Sequence, residues 1–250
     1  MKSSASPQTS WLRTQSPLSF PLGRVDVWRL LLDEPPTEDS DATILSSDEV
    51  ERASRFHFEA DRIHFTRCRS ALRRLLAGYL AIPAPEIGFE YQASGKPQLM
   101  AAQNPHGLQF NVSHSANMAL IAVGSRHRLG VDIEKIRPDV DTASLAERFF
   151  SHRERAGLQS LPEQLRIPAF FACWTRKEAF LKATGDGLSF PLADFSVSTH
   201  PDLDPELEEI RGDTGVGRRW SLANLDAAEN FRAAVAIESS HYRLQTYAWN

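Results

Sequence analysis

Residues 108–134 read LQFNVSHSANMALIAVGSRHRLGVDIE. Three apolar-rich segments, at 108–112, 118–123 and 129–133, are joined by short polar links, so strands follow one another here without an intervening helix. Upstream, Leu72, Leu75, Leu76, Tyr79 and Leu80 recur at helical spacing over residues 61–79, and Ile82-Pro83 stops that helix. Its other faces carry Arg62, Arg67, Arg69, Arg73 and Arg74, which by default form a solvated basic face. Before it come a strand at 25–32, a Pro- and acid-rich loop at 33–41, and a helix start at Ser46. Glu49 sits three residues on from Ser46, as in a capping box. A short strand near 88–91 and a turn at 94–97 complete the first half.

Downstream, the pattern predicts a helix at 143–158 and a longer amphipathic one at 168–184 that stops at Gly185-Asp186-Gly187. Strands follow at 195–199, 219–225, 232–238 and 243–248. Each half mixes one or two helices with several strands, which favours α+β over a parallel βαβ sheet. The matched element content of the halves also suits a duplicated architecture.

Composition narrows the function. The 250 residues are 42% hydrophobic and 24% charged, with 28 Lys+Arg against 32 Asp+Glu and a net charge of -4. That balance argues against a basic nucleic-acid protein and requires any anionic ligand to be held by a local cluster of cations. No run of about 18 apolar residues is present to span a bilayer. Residues 1–24 are acid-poor and rich in Ser and Pro, without the apolar run of a secretory signal, so a flexible tail is expected ahead of an organelle transit peptide. Cys68 and Cys173 each fall in a helical pattern and are expected as buried thiols of a reducing, cytoplasmic compartment.

Three segments carry chemistry. In Gly130-Val131-Asp132-Ile133-Glu134, strand alternation puts Asp132 and Glu134 side by side. Two carboxylates that close repel unless a cation lies between them; a hard divalent ion such as Mg²⁺ resolves the conflict, and a strand end whose acids face water is the alternative. In Trp174 through Lys182, Glu178 and Lys182 are spaced i, i+4, which alone predicts only a surface pair worth about 0.3–0.5 kcal/mol. In Asn111-Val112-Ser113-His114-Ser115, neighbouring Ser and His diverge and make no nucleophile–base pair, while a hydroxyl and an imidazole at a strand end suit phosphate oxygens. The histidines lack zinc-ligand spacing, and there is no Walker loop or G-x-G-x-x-G. Of the five lysines, Lys2, Lys96, Lys135, Lys177 and Lys182, four lie in or beside the segments from the 94–97 turn onward.

In order and spacing, Gly95-Lys96-Pro97, Asn111 through Ser115, Gly130 through Glu134 and Trp174 through Lys182 resemble the 4′-phosphopantetheinyl transferase superfamily. Arg148-Phe149-Phe150 and the turn at 185–188 fit as well. The likeness is to the longer, two-domain Sfp type and covers roughly residues 52–197. It implies transfer of phosphopantetheine from coenzyme A to a serine of an apo acyl or peptidyl carrier protein, releasing adenosine 3′,5′-bisphosphate. It further implies two similar α+β subdomains related by a pseudo-twofold, with coenzyme A in the cleft between them. The expected organisation is a tail at 1–24 and subdomains at 25–126 and 127–250, in a cytoplasmic monomer that binds neither nucleic acid nor membrane.

Carried over residue by residue, Asp132, Glu134 and Glu178 match the family's carboxylates for Mg²⁺, with Mn²⁺ also open. Lys96, Pro97, Ser113 and His114 match coenzyme A contacts, Lys182 matches the active-site lysine, and Asp132 and Lys182 also border the ligand. Arg52 and Arg69 fall on basic coenzyme A positions, whereas Glu49 departs from the lysine that bacterial relatives can carry. Glu178 and Lys182 are then the expected catalytic pair. A coenzyme A-binding module without catalysis, and a metal-dependent phosphohydrolase, are the competing readings.

Overall fold

Alternation along the strands sorts the apolar residues onto two sheets and three cores. The structure, a computed structural model, describes residues 10–13, 18–33, 42–92, 95–185, 187 and 190–249. Most of the expected loop at 33–41, Ser94 of the first turn, and Asp186 and Leu188 of the second lie outside them, as does much of the tail. In chain order the elements are β1 (Leu12–Arg13), β2 (Arg24–Leu31), α1 (Ser47–Ser54), α2 (Glu59–Leu80), β3 (Phe89–Tyr91), β4 (Pro97–Leu99), β5 (Leu108–Ser115), β6 (Met118–Ser125) and β7 (Leu129–Lys135). Then come α3 (Thr142–Phe149), α4 (His152–Ser160), α5 (Glu163–Thr184), β8 (Phe195–Val197), β9 (Leu207–Ile210), β10 (Ser221–Asn224), β11 (Phe231–Ile237) and β12 (Arg243–Ala248).

The first sheet runs β1-β12-β2-β6-β5 and the second β10-β11-β7, with β3–β4 and β8–β9 as separate hairpins. Even-numbered Trp28 and Leu30 and odd-numbered Ala119, Ile121 and Val123 face α2, which buries Leu72, Leu75, Leu76 and Tyr79 against them. Their neighbours Val25, Val27, Leu120 and Ala122 turn the other way and meet Val131, Ile133, Val235 and Ile237 of the second sheet. The remaining face of that sheet, at Ala234 and Ala236, is covered by α5 through Ala179, Phe180 and Ala183. The order of layers is therefore helix, sheet, sheet, helix, an α+β arrangement.

Several expectations are revised. Strand β12, expected within the C-terminal half, pairs in parallel with β2, with Arg243 opposite Arg24 and Ala248 opposite Arg29. It closes an edge of the first sheet that would otherwise lie open. The tail is not free throughout: Leu12 and Arg13 pair with Tyr247 and Ala248, and Trp11 Nε1 donates to Asp226 O at 2.6 Å. The single helix expected at 143–158 is two helices, because Phe150 is extended and Ser151 caps α4 in a capping box with Glu154. Helix α5 begins one turn before Pro168, at Glu163.

The solvated arginine face is also corrected. Arg73 is only 2% exposed; its Nε donates to Glu49 Oε2 at 2.6 Å and its Nη1 to Ile87 O at 2.8 Å. Arg69 pairs with the same carboxylate, and the Ser46 N–H donates to Glu49 Oε2 at 3.0 Å. Glu49 thus fastens α1 to α2, and its carboxyl stays below the usual glutamate range despite burial. Both cysteines are buried and free, as expected. No helix among the described residues is long and apolar enough to cross a membrane.

Arg128, at the head of β7, holds Glu238 through bonds of 2.7 and 2.8 Å, and Arg219 adds a third at 2.7 Å. Hydrogen bonding to Arg128 is the main reason that this carboxyl is lowered from 4.5 to about 2. A depressed folded-state value gives stability that is present above the unfolded value of 4.5 and lost as pH falls toward 2. Unfolding curves of Glu238→Gln are therefore expected to be flatter than wild type across that window. Parallel curves would show that Glu238 contributes nothing to the acid limb.

Candidate active site

The site is built where α5 crosses β7 at Gly130. A Cβ placed there would lie 2.2 Å from Ala179 O and 2.4 Å from Ala183 N, so only glycine lets the helix backbone approach this closely. Alternation along β7 sends Val131 and Ile133 into the core between the sheets and aims Asp132 and Glu134 toward α5. Helix periodicity brings Glu178 and Lys182, one turn apart, to the same face. Lys182 Nζ donates to Asp132 Oδ1 at 2.6 Å and to Ser113 Oγ at 2.9 Å. Gly130→Ala is expected to destabilise the protein by about 1–3 kcal/mol through overpacking and, by displacing α5, to lower activity about 10²-fold. A melting curve and a turnover assay check this; a variant as stable and active as wild type would show that the close approach is dispensable.

The acids repel one another. Asp132 is 3% exposed; burial pushes its carboxyl up against the opposing pull of Lys182, and its Oδ2 has no hydrogen-bond partner among the described residues. Glu134 is raised by burial and then by the charge of Asp132, while Ser115 Oγ donates to its Oε2 at 2.8 Å. Glu178 is raised by burial, then by Asp132 and Glu134. Three carboxylates thus feel one another in one space. A donor set made only of oxygens, mutually opposed and with one buried oxygen unpartnered, fits a hard divalent cation. Among the described residues no three acid, histidine or cysteine side chains are gathered into a ready-made metal cage. Lys182 is the cation that holds Asp132.

Beside these groups lies a cavity of about 260 Å³ whose lining includes Lys96, Pro97, Asn111, Glu178 and Lys182. Lys96 Nζ donates to Lys182 O at 2.5 Å and Leu129 O at 3.3 Å, and burial lowers its ammonium to about 8, with a further push from Arg128. Lys96 and Pro97 also border a second cavity of about 230 Å³ behind the β3–β4 hairpin. The structure therefore brings Lys96, Pro97, Ser113, Asp132, Glu134, Glu178 and Lys182 together. Three further expected contacts stand away from this cluster. His114 is exposed on the opposite face of β5. Arg52 is exposed over the Phe65 ring at 5.4 Å. Arg69 is engaged by Glu49 and by Tyr91 Oη at 3.2 Å. Sequence reading passed over Asn111 and Ser115 as individual site residues, although polar residues at 111, 113 and 115 already mark one strand face.

Comparison with known proteins gives a consistent result. Residues 128–236 match the family model described as 4′-phosphopantetheinyl transferase superfamily, and residues 35–126 match 4′-phosphopantetheinyl transferase, N-terminal. The chain is 41% identical over 231 residues to the 4′-phosphopantetheinyl transferase HetI of Nostoc sp., covering 92% of this chain and 94% of that protein. It is 30% identical over 186 residues to the 4′-phosphopantetheinyl transferase Sfp of Bacillus subtilis, covering 73% and 80%. A solved holo-[acyl-carrier-protein] synthase from Thermotoga maritima aligns with 46% of this chain and 64% of its own at a TM-score of 0.36 and 19% identity.

Proposed function

The chain belongs to the 4′-phosphopantetheinyl transferase superfamily, and from that premise we propose that it transfers the 4′-phosphopantetheine group of coenzyme A to a serine hydroxyl of an apo acyl or peptidyl carrier protein. Adenosine 3′,5′-bisphosphate is the other product. The observation that carries this reading is the meeting of Asp132 and Glu134, from a strand, with Glu178 and Lys182, from a helix, the latter two lining a cavity.

In this reading Asp132, Glu134 and Glu178 hold Mg²⁺, with Mn²⁺ an acceptable substitute for oxygen ligands. When bound, the ion withdraws charge from the phosphoryl group under attack and neutralises the departing bisphosphate. Glu178, whose carboxyl is raised by burial and by its acidic neighbours, accepts the proton of the carrier serine as that oxygen attacks. Lys182 offsets negative charge on the leaving side. Lys96 and Pro97, in the cavity wall, border the coenzyme together with Ser113 beside Lys182, and Arg52 and His114, both exposed, are open to its phosphates. Arg69 joins them only by releasing Glu49.

The proposal includes two α+β subdomains related by a pseudo-twofold, meeting near residue 126, in a monomer whose own halves form the cleft. The two family models abut there, and each sheet carries its own long helix, which supports that division. Incubation with an apo carrier protein, coenzyme A and Mg²⁺, followed by mass measurement of the carrier, tests the function. The expected result is a phosphopantetheine increment abolished by EDTA, restored by Mg²⁺, and matched by adenosine 3′,5′-bisphosphate. Retention of coenzyme A over an unmodified carrier, or release of free phosphate, would overturn it.

A further inference from the structure

The two sheets meet along a line where main-chain groups pair with side chains. On β7, Gly130, Asp132 and Glu134 lie opposite Ala236, Ala234 and Arg232 of β11, and the amides between them belong to the strand's other edge. Those amides donate across to β5. The Val131 N–H reaches Asn111 Oδ1 at 2.8 Å, Ile133 N–H reaches Ser113 Oγ at 3.4 Å, and Lys135 N–H reaches Ser115 Oγ at 3.1 Å. At the head of the strand, Leu129 O accepts from Lys96 Nζ at 3.3 Å. The step is two residues on both strands, so one polar face of β5 covers the edge of β7 that a neighbouring strand would otherwise occupy.

Each serine then donates its own O–H to the carboxylate one residue back along β7. Ser113 Oγ donates to Asp132 Oδ1, and Ser115 Oγ to Glu134 Oε2, both at 2.8 Å. A hydroxyl carries one proton and two lone pairs. With an amide donating to the oxygen, the hydrogen is directed at the carboxylate, which fixes the orientation of the acid. Ser113 is fully engaged, since its oxygen also accepts from Lys182 Nζ at 2.9 Å.

We propose that Asn111, Ser113 and Ser115 form a seam that registers β7 against β5, and that Ser115 is a positioning residue for Glu134. The catalytic consequence rests on the transferase reading; the seam itself does not. The segment that carries the expected phosphate contacts Ser113 and His114 is, on this assignment, also the joint that aims the acids.

The test is Ser115→Ala in the full chain, with Ser115→Thr as rescue and Ser115→Cys as a second variant of matched size. In Ser115→Ala the Lys135 amide is expected to exchange its hydrogen at least about tenfold faster, while the amides of Asp132 and Glu134 keep their protection. Affinity for Mn²⁺, titrated alone by paramagnetic resonance, is expected to fall about tenfold. At saturating Mg²⁺, kcat and the KM for coenzyme A should stay within about threefold of wild type, and Ser115→Thr should restore the Mn²⁺ affinity. Unchanged Lys135 exchange, unchanged Mn²⁺ affinity, or a kcat loss that saturating metal does not relieve would overturn the assignment. Should wild type fail to modify a carrier, the transferase reading falls, while exchange and Mn²⁺ titration still decide the seam.

Discussion

Glu178→Gln is expected to reduce transfer to the carrier by about 10²–10⁴-fold, the range for loss of a positioned general base, without loss of the fold. The reason lies in the balance of charge at the α5–β7 crossing. Glu178 is half-buried in the cavity wall, where Lys182 also serves Asp132; burial raises its carboxyl first, and the charges of Asp132 and Glu134 raise it further against the pull of Lys182. An acid whose folded-state value is raised binds its proton more tightly in the folded protein than in the unfolded chain. Its contribution is therefore most favourable below 4.5, the ordinary value, and becomes unfavourable as pH climbs through the folded-state value. Without added metal, the melting temperature of Glu178→Gln at neutral pH should equal or exceed that of wild type, and the gap should close in acid. Added Mg²⁺ should raise the melting temperature of wild type more than that of the variant. If the variant keeps most of its turnover while binding metal and coenzyme A, the base is another group.

The parts of this arrangement that were legible in sequence are those set by local geometry. Period-two alternation placed Asp132 and Glu134 on one face, and helical spacing placed Glu178 and Lys182 on another, before any contact between the faces was known. The capping box at Ser46 and Glu49 was legible for the same reason. What failed was long-range or masked. Glu49 and Arg73 are 24 residues apart, and no local pattern announces that a carboxylate on one helix will bury a guanidinium on the next. The alternation of Arg243–Ala248 showed a strand but carried no record of its partner, and it joins β2. Ser151 and Glu154 did offer a capping signature, but the apolar period continues through Phe150 and hides the break. In the same way, Ser113 read as a ligand contact and Asn111 and Ser115 drew no role of their own, because a polar strand face carries no mark of its partner; here all three meet the otherwise open edge of β7.

Lys177→Met is expected to produce the largest loss of stability. Lys177 and Glu154 are both 0% exposed. Lys177 Nζ donates to Glu154 Oε1 at 2.6 Å, to Glu154 Oε2 at 2.8 Å and to Phe195 O at 2.6 Å, and it lies 4.0 Å from the centre of the Phe195 ring. Glu154 also accepts from Ser151 N–H at 2.8 Å and Val197 N–H at 2.9 Å, so the pair ties α4, α5 and β8 together. Methionine fills similar volume but strands a buried carboxylate, at a cost of about 3–5 kcal/mol. For a chain of this size that corresponds to a fall in melting temperature of roughly 6–20 °C. The double variant Lys177→Met/Glu154→Gln removes the orphaned charge and should recover part of the loss, giving a coupling between the two sites of about 2 kcal/mol or more. Urea unfolding of the two single variants and the double measures this directly; additive losses, or a single-variant cost below about 1 kcal/mol, would show the pair to be incidental. Activity should fall along with stability, because Lys177 faces the α4–β8 side while the next residue, Glu178, faces the cavity. The buried pair sets the rotation of α5, and with it the direction in which Glu178 and Lys182 point.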